Sequence, residues 1–338
     1  MQIATLGIDI GKMWFHVIGL DEAGKPLYRE KLNRSKLMQF VGTSPRCLIG
    51  MEACAGSQHL ARRFSSFGHE VKLNAPRFIK AYLKSNKNDF NDAAAIAEAV
   101  QRPTMRFVTT RSLEQADLQA VHRVRDQLIS ERTGCINQIR AFLLEYGIAI
   151  PVGRARLLQI LPLVLEDAEN ELTTIMRSLI HQLRARLGRI ADELQECTDR
   201  IEAVFSNDER CQKLRQIPGI GPVIATAIVA AVGNAAQFRR ARDMAAWIGL
   251  VPKQFSTGGR SKLLGISKRG NGYLRKLLVQ GARAVINKTD RKRHRFGTWL
   301  TQLEQRAHRN IVAVSLANKL ARISWAVLRG NEPYRMAV

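Results

Sequence analysis

The sequence predicts an α/β domain, then a long helical segment, then a mainly helical and strongly basic domain. Three observations carry this expectation. The first hundred residues alternate β-rich runs with short helical stretches in the order βββαβαβα, apolar residues between 112 and 204 recur at helical spacing, and the positive charge concentrates in the last third. The boundaries expected from these shifts are 1–108, 109–207 and 208–338.

Ile3 to Asp9 and Trp14 to Leu20 are β-rich runs, and DEAGKP at 21–26 supplies the Gly and Pro of a turn before a third run from Leu27 to Leu32. A short helix near Ser35 to Val41 precedes a buried-type strand, Cys47 to Met51, that ends in Glu52. A helix from Ser57 to Phe67, a strand from His69 to Leu73 and a helical stretch from Pro76 that includes Asp89 and Asp92 complete the domain. The start is antiparallel and the remainder follows an α/β pattern.

The 338 residues carry 53 Lys and Arg against 29 Asp and Glu, a formal charge of +24, and 46% are apolar. A folded chain with this balance points to nucleic acid, since an acidic small-molecule substrate needs far less charge. The excess is uneven: +6 over residues 1–105, −1 over 106–205 and +19 over 206–338. Five widely spaced cysteines form no CxxC pair, so neither a disulfide framework nor a zinc site is indicated. No signal peptide is recognisable and no apolar run approaches ~18 residues, so the expectation is a cytoplasmic protein with no membrane partner.

Four carboxylates stand out by position. Asp9 lies in an otherwise apolar strand, Glu52 ends the fourth strand, and Asp89 and Asp92, three apart in NDFND, share a helix face. A carboxylate within an apolar strand is costly unless a partner such as a hard divalent cation offsets it, and two Mg²⁺ ions held by such a cluster suit in-line phosphoryl transfer. Each acid alone has an ordinary reading as turn, capping or solvated residue, and GIDIGK also resembles the phosphate-binding hairpin of actin-like kinases.

In the middle segment Leu113, Ala116, Val121, Val124, Leu128, Cys135, Ile139 and Phe142 recur at helical spacing. Leu183, Leu187, Ile190, Leu194, Cys197, Ile201 and Val204 alternate steps of four and three, a coiled-coil seam. Two long antiparallel helices joined by residues 148–168, where Pro151 and Pro162 fall, are expected, with Ser112 or Ser178 as caps. A near-neutral arm of this kind suits spacing and favours dimerisation, the alternative being that the two helices pack only on each other within one chain.

In the basic third, Leu214 to Ile228 has the form of a helix-hairpin-helix, in which Gly219 and Gly221 of the PGIG turn allow backbone N–H groups to hold a DNA phosphate. Ser256-Thr257-Gly258-Gly259 reads as a flexible turn with an exposed hydroxyl, and Arg260, Lys262, Lys268, Arg269, Arg275 and Lys276 follow within twenty residues. Such cations hold phosphate and stabilise charge that develops when a hydroxyl attacks phosphorus. Spacing alone favours a phosphate-binding loop in which Ser256 only donates a hydrogen bond, and it leaves Ser256 and Thr257 both open as nucleophiles. Asn310 to Leu328 reads as an amphipathic closing helix, and Arg291 to Arg295 as a solvated phosphate-binding patch.

The set Asp9, Glu52, Asp89 and Asp92, the helical arm, the PGIG turn and the run GLVPKQFSTGG…ISKRGNGYLRKLL together resemble the insertion-sequence 110 (DEDD) transposase family, which also contains the Piv-type DNA invertases. The match covers nearly the whole chain. It implies a RuvC-like RNase H fold domain whose four acids hold Mg²⁺, and a C-terminal transposase domain whose Ser256 attacks a DNA phosphodiester to form a phosphoserine link later reversed by a DNA 3′-hydroxyl. It further implies double-stranded donor and target DNA, a structured noncoding guide (bridge) RNA, and a dimer or higher oligomer. Two positions depart from the family pattern: Lys87-Asn88-Asp89 replaces Lys-Thr-Asp, and Ser256-Thr257-Gly258-Gly259 replaces Ser-Ser-Gly-Gly. The rival reading is a RuvC-like Holliday-junction or structure-specific endonuclease, which uses the same acids without a covalent intermediate.

Overall fold

The computed structural model describes residues 2–83, 88–288, 290–291, 296–330 and 334. Lys87 and residues 292–295 of the basic run therefore lie outside the described residues. The chain divides into two compact units, one ending at Ser112 and the other beginning at Leu113.

The first unit is built on a six-stranded sheet in the order β3-β2-β1-β4-β5-β6. Its strands are β1 (Thr5–Ile10), β2 (Trp14–Leu20), β3 (Pro26–Asn33), β4 (Leu48–Glu52), β5 (Glu70–Asn74) and β6 (Phe107–Val108). β1 to β3 form an antiparallel meander, β1, β4 and β5 run parallel, and β6 returns antiparallel to β5. The two-residue β6 carries too short a pattern for period-2 reading, and nothing in Phe107-Val108 marks a strand in the sequence. One face of the sheet packs Leu6, Ile8, Ile49, Met51 and Leu73 against α1 (Arg34–Thr43) and α2 (Ser57–Ser66) through Leu37, Val41, Leu60 and Phe64. The opposite face receives α4 (Asp89–Val100), which contacts β1, β2 and β4. A short helix, α3 (Pro76–Ile79), and a 3-10 turn (Lys80–Tyr82) lead toward it.

Glycine sets how closely α4 approaches. A Cβ on Gly7 would lie 2.2 Å from the Ala93 carbonyl oxygen, and one on Gly50 would lie 2.9 Å from Val100 Cβ. Small residues on both sides, with Ala93 and Ala97 facing the sheet beside Ile18 and Leu20, let the helix backbone lie almost on the strands. Asn88 caps α4, its Oδ1 accepting from Phe90 N at 2.9 Å. This fixes the helix start, and with it Asp89 and Asp92 in the first turn.

The second unit holds α5 (Leu113–Glu145), α6 (Arg154–Glu166), α7 (Thr174–Asn207), α8 (Glu209–Arg215), α9 (Pro222–Val232), α10 (Ala241–Ile248), the hairpin β7 (Pro252–Thr257) and β8 (Arg260–Ile266), α11 (Gly272–Lys288), α12 (Gly297–Glu304) and α13 (Arg309–Arg329). α5 and α7 pack antiparallel: Cys135 Sγ meets the Leu183 carbonyl at 3.5 Å, Glu131 pairs with Arg186 at 3.5 Å, and Leu128 clusters with Ile190 and Leu194. Position numbers fall on one helix as they rise on the other. α7 buries Leu187, Ile190, Leu194, Cys197 and Ile201, while Val204 is exposed and Phe205 takes the inward place. In α5 the inward positions are Leu118, His122, Leu128, Cys135, Ile139 and Leu143, whereas Leu113 and Val124 are exposed.

The expected plain connection over 148–168 is instead largely helix. Leu157, Leu161 and Leu165, one turn apart on α6, are buried in a cluster with Ile139, Leu143 and Ile180, and this stripe outweighs the loss of one N–H at Pro162. The cap of α7 is Thr173, which accepts from Met176 N at 3.2 Å, and Ser178 lies inside the helix.

The remaining helices share a large core that includes Leu214, Ile228, Met244, Leu278, Leu316 and Leu320. α13 is long and apolar enough, by length and composition, to cross a membrane. Its buried residues Val312, Leu316, Leu320 and Val327 belong to this core, and it packs on α10 and α11.

Candidate active site

Strand register brings the acids of the first unit together. Asp9, next to last in β1, is paired across the meander with His16, and the neighbouring parallel ladder ends at Ile8 and Met51, so Asp9 and Glu52 are the next residues on adjacent strands. α4 then adds Asp89 and Asp92 from above the same sheet face. His16 Nδ1 lies 3.6 Å from Asp89 Oδ2, and one ligand atom from each of Asp9, His16 and Asp89 falls within 4.8 Å of the others.

The electrostatics report the same cluster. Asp9 is pushed up to about 6 by burial first, then by the negative charges of Asp92 and Asp89, with His16 opposing and Glu52 adding. Glu52 is raised by burial and by Asp92, partly offset by Lys80. Carboxylates crowded this way repel when ionised, and a hard divalent cation is the natural counter-charge for such oxygen donors. Asp9, His16 and Asp89 therefore offer donor atoms close enough to hold a divalent metal, with Glu52 and Asp92 near enough to raise the charge of the site but not within that 4.8 Å group.

His16 was missed by sequence reading. The available signal was the hairpin itself, since a tight turn after Ile10 places the residue seven positions past Asp9 opposite it. The ring is further fixed edge-on to Phe90, with centroids 4.7 Å apart.

In the second unit Ser256 belongs to strand β7, not to a flexible turn; Gly258 and Gly259, at φ 52° and 75°, form the two-residue hairpin loop. The whole hairpin is exposed apart from Ile266. Ser256 stands opposite Ser261, and its Oγ accepts from Gln254 Nε2 at 2.8 Å. Thr257 stands opposite Arg260 and Phe255 opposite Lys262. Strand alternation thus puts Ser256, Gln254, Ser261 and Leu263 on one face, and Thr257, Arg260 and Lys262 on the other.

Lys268 and Arg269 lie at the hairpin's foot, where Lys268 N donates to the Gly249 carbonyl at 3.2 Å. Arg275 Nη1 donates to the carbonyls of Ile248 (2.7 Å) and Arg269 (3.0 Å), bracing that foot from α11. Lys276 pairs with Asp126 of α5. Gly219 sits at φ 83° where a Cβ would lie 2.7 Å from the Gly281 carbonyl, so the turn between α8 and α9 abuts α11, and Gly221 caps α9. Arg291 of the basic run pairs with Glu304 at 2.8 Å.

Two family models match the chain, the first running past the Ser112 boundary into α5. A family model for DEDD transposases of the IS110 group matches residues 6–148, and one described as the transposase IS116/IS110/IS902 family matches residues 211–297. The transposase for insertion sequence element IS1328 of Yersinia enterocolitica is 43% identical over 326 residues, covering 96% of this chain and 97% of the relative. The transposase for insertion sequence element IS1111A of Coxiella burnetii is 42% identical, covering 99% of this chain and 92% of the relative. A pilin gene-inverting protein of Moraxella bovis is 25% identical over 82% of this chain and 78% of its own length. With a carboxylate cluster at the ends of β1 and β4 and relatives matching along nearly its full length, the chain belongs to the IS110/IS116/IS902 family of transposases, enzymes that act on DNA by phosphoryl transfer.

Proposed function

We propose that this transposase cuts and rejoins double-stranded donor and target DNA through a covalent serine intermediate, with Asp9, Glu52, Asp89 and Asp92 holding two Mg²⁺ ions. The observation that carries the reading is Asp9, raised to about 6 by burial among three other carboxylates, an arrangement that suits a counter-cation better than solvent. The bound ions would supply Lewis-acid stabilisation of charge developing on the phosphate oxygens.

The chain's own groups do the rest. Ser256 Oγ forms a bond to phosphorus as the bond to the DNA 3′-oxygen breaks, the serine proton passes to solvent, and the freed 3′-oxygen takes up a proton. A DNA 3′-hydroxyl later attacks the phosphoserine, restoring the diester and the serine. Gln254, by donating to Ser256 Oγ, leaves the hydroxyl hydrogen as the one to be removed. Arg260, Lys262, Lys268 and Arg269 would neutralise phosphates around the hairpin, and the α8–α9 turn with Gly219 and Gly221 would act as a helix-hairpin-helix that grips backbone. The +19 charge of residues 206–338 supports this assignment. The family resemblance adds a structured guide RNA, and the α5–α7 pair offers a coiled-coil arm for dimerisation.

Incubation with donor DNA and Mg²⁺, followed by denaturing gel electrophoresis, tests the mechanism. A labelled protein–DNA adduct that Ser256→Ala abolishes is expected. Cleavage with no adduct would overturn the serine step and support the structure-specific nuclease.

A further inference from the structure

The side chain of Asn74 poses a chemical problem beside the acidic cluster. Asn74 ends β5, is 0% exposed, and neither its Oδ1 nor its Nδ2 has a hydrogen-bond partner among the described residues. Its backbone is accounted for, the carbonyl accepting from Ala53 N at 2.8 Å. Burying a carboxamide with both ends unpaired is costly, and a leucine would fill such a core position without that cost. The side chain therefore points to a partner that arrives with a ligand.

Register shows where that partner is. Leu73, the preceding residue, packs on the α1–α2 side of the sheet, so Asn74 stands on the α4 side. In the parallel β4–β5 ladder Asn74 is the direct partner of Glu52, which places the carboxamide beside the Glu52 side chain on the same face. An amide N–H beside a carboxylate can donate to one of its oxygens and fix its orientation.

We propose that Asn74 is a positioning residue of the cation centre, its Nδ2 donating to the Glu52 carboxylate and its Oδ1 accepting from water of the loaded site. The inference rests on the reading of Asp9, Glu52, Asp89 and Asp92 as cation ligands. Asn74 touches no DNA and makes no bond to phosphorus; it acts through Glu52.

The test is calorimetric titration of cation-free, full-length protein with Mn²⁺, comparing wild type with Asn74→Leu and Asn74→Ala, alongside thermal melting without cation. Loss of a group that orients a ligand typically weakens metal binding about 10- to 100-fold, and a shift of that size is expected in both variants. The melting temperature of Asn74→Leu without cation should equal or exceed that of wild type, because an unpaired buried amide is replaced by apolar volume. Asn74→Ala guards against misfolding of the larger side chain. Mn²⁺ affinity unchanged in either folded variant, or weakened only where the cation-free melting temperature has also fallen, overturns the inference while leaving the cation reading intact. A wild-type protein that binds no Mn²⁺ overturns that reading and the inference together.

Discussion

Gly7 of β1 and Ala93 of α4 approach so closely that a single added methyl group would bring Cβ within 2.2 Å of the Ala93 carbonyl oxygen. The helix that carries Asp89 and Asp92 is docked through that contact, so the geometry of the acids depends on a residue with no chemistry of its own. Gly7→Ala is expected to cost about 1–3 kcal/mol of stability, the usual penalty of overpacking. It should also lower DNA cleavage by more than that loss accounts for at a temperature where the variant stays folded. Urea denaturation paired with a cleavage assay reads both quantities, and full activity in a destabilised variant would contradict the link.

Asp9 makes the cation-free protein sensitive to pH. Its carboxyl titrates near 6 in the fold against 3.8 as a free group, so folding favours the protonated form. The associated stability is complete below about pH 4 and is lost as pH rises through 6. Asp9 is only partly buried, so screening reduces the effect to on the order of 1 kcal/mol. Asp9→Asn should therefore be more stable than wild type at pH 7.5 without divalent cations and indistinguishable from it at pH 4. Equal urea midpoints at pH 7.5 would show that ionised Asp9 does not destabilise the cation-free fold.

His122 works in the opposite sense. It is 2% exposed, its Nε2 lies 3.0 Å from Thr226 Oγ1, and its Nδ1 lies 3.0 Å from the Tyr273 hydroxyl. Thr226 donates its own proton to the Pro222 carbonyl at 2.7 Å, which assigns the imidazole proton to Nε2 and leaves Nδ1 to accept from Tyr273. Burial, helped by Arg125, lowers His122 to about 4. A lowered histidine contributes stability above its free value of 6.5 that disappears as pH falls from 6.5 toward 4, up to about 3 kcal/mol. Thr226→Val leaves Nε2–H without an acceptor and is expected to cost about 1–3 kcal/mol at pH 7.5. Denaturation midpoints across this pH range measure both effects, and a flat profile would show that His122 does not govern them.

The choice between two adjacent hydroxyls is also decidable. Because Ser256 and Thr257 face opposite sides of the hairpin, only one can meet a given phosphate without the strand turning over. Ser256→Ala should abolish the protein–DNA adduct, whereas Thr257→Ala should retain it with at most a few-fold loss. The reverse pattern would move the nucleophile to Thr257, the face shared with Arg260 and Lys262.

The acids were legible as candidates in the linear sequence because a charge inside an apolar strand, or a pair three apart on a helix, conflicts with simple packing. His16 and Asn74 were not, since an imidazole or amide in a strand breaks no pattern until ladder register sets it beside a carboxylate. On the hairpin, composition suggested cations crowding Ser256. Pairing instead divides them by face, and it turns Arg275 and Lys276 toward partners within the fold.

By itself the sequence determined the first five strands of the first domain, the two long helices and the seat of the positive charge, and it singled out four acids as candidates. These follow from periodicity, charge and turn residues, which act over a few positions along the chain. Tertiary structure alone decided which side chains meet: the register placing Asp9 beside Glu52 and Asn74 opposite it, the glycine contact that seats α4, and the stripe that makes a helix of the proline-containing 154–166 segment. The reason is physical. A carboxylate's charge state and an amide's cost depend on what lies within a few ångströms, and in a parallel sheet those neighbours come from strands some twenty to forty residues apart.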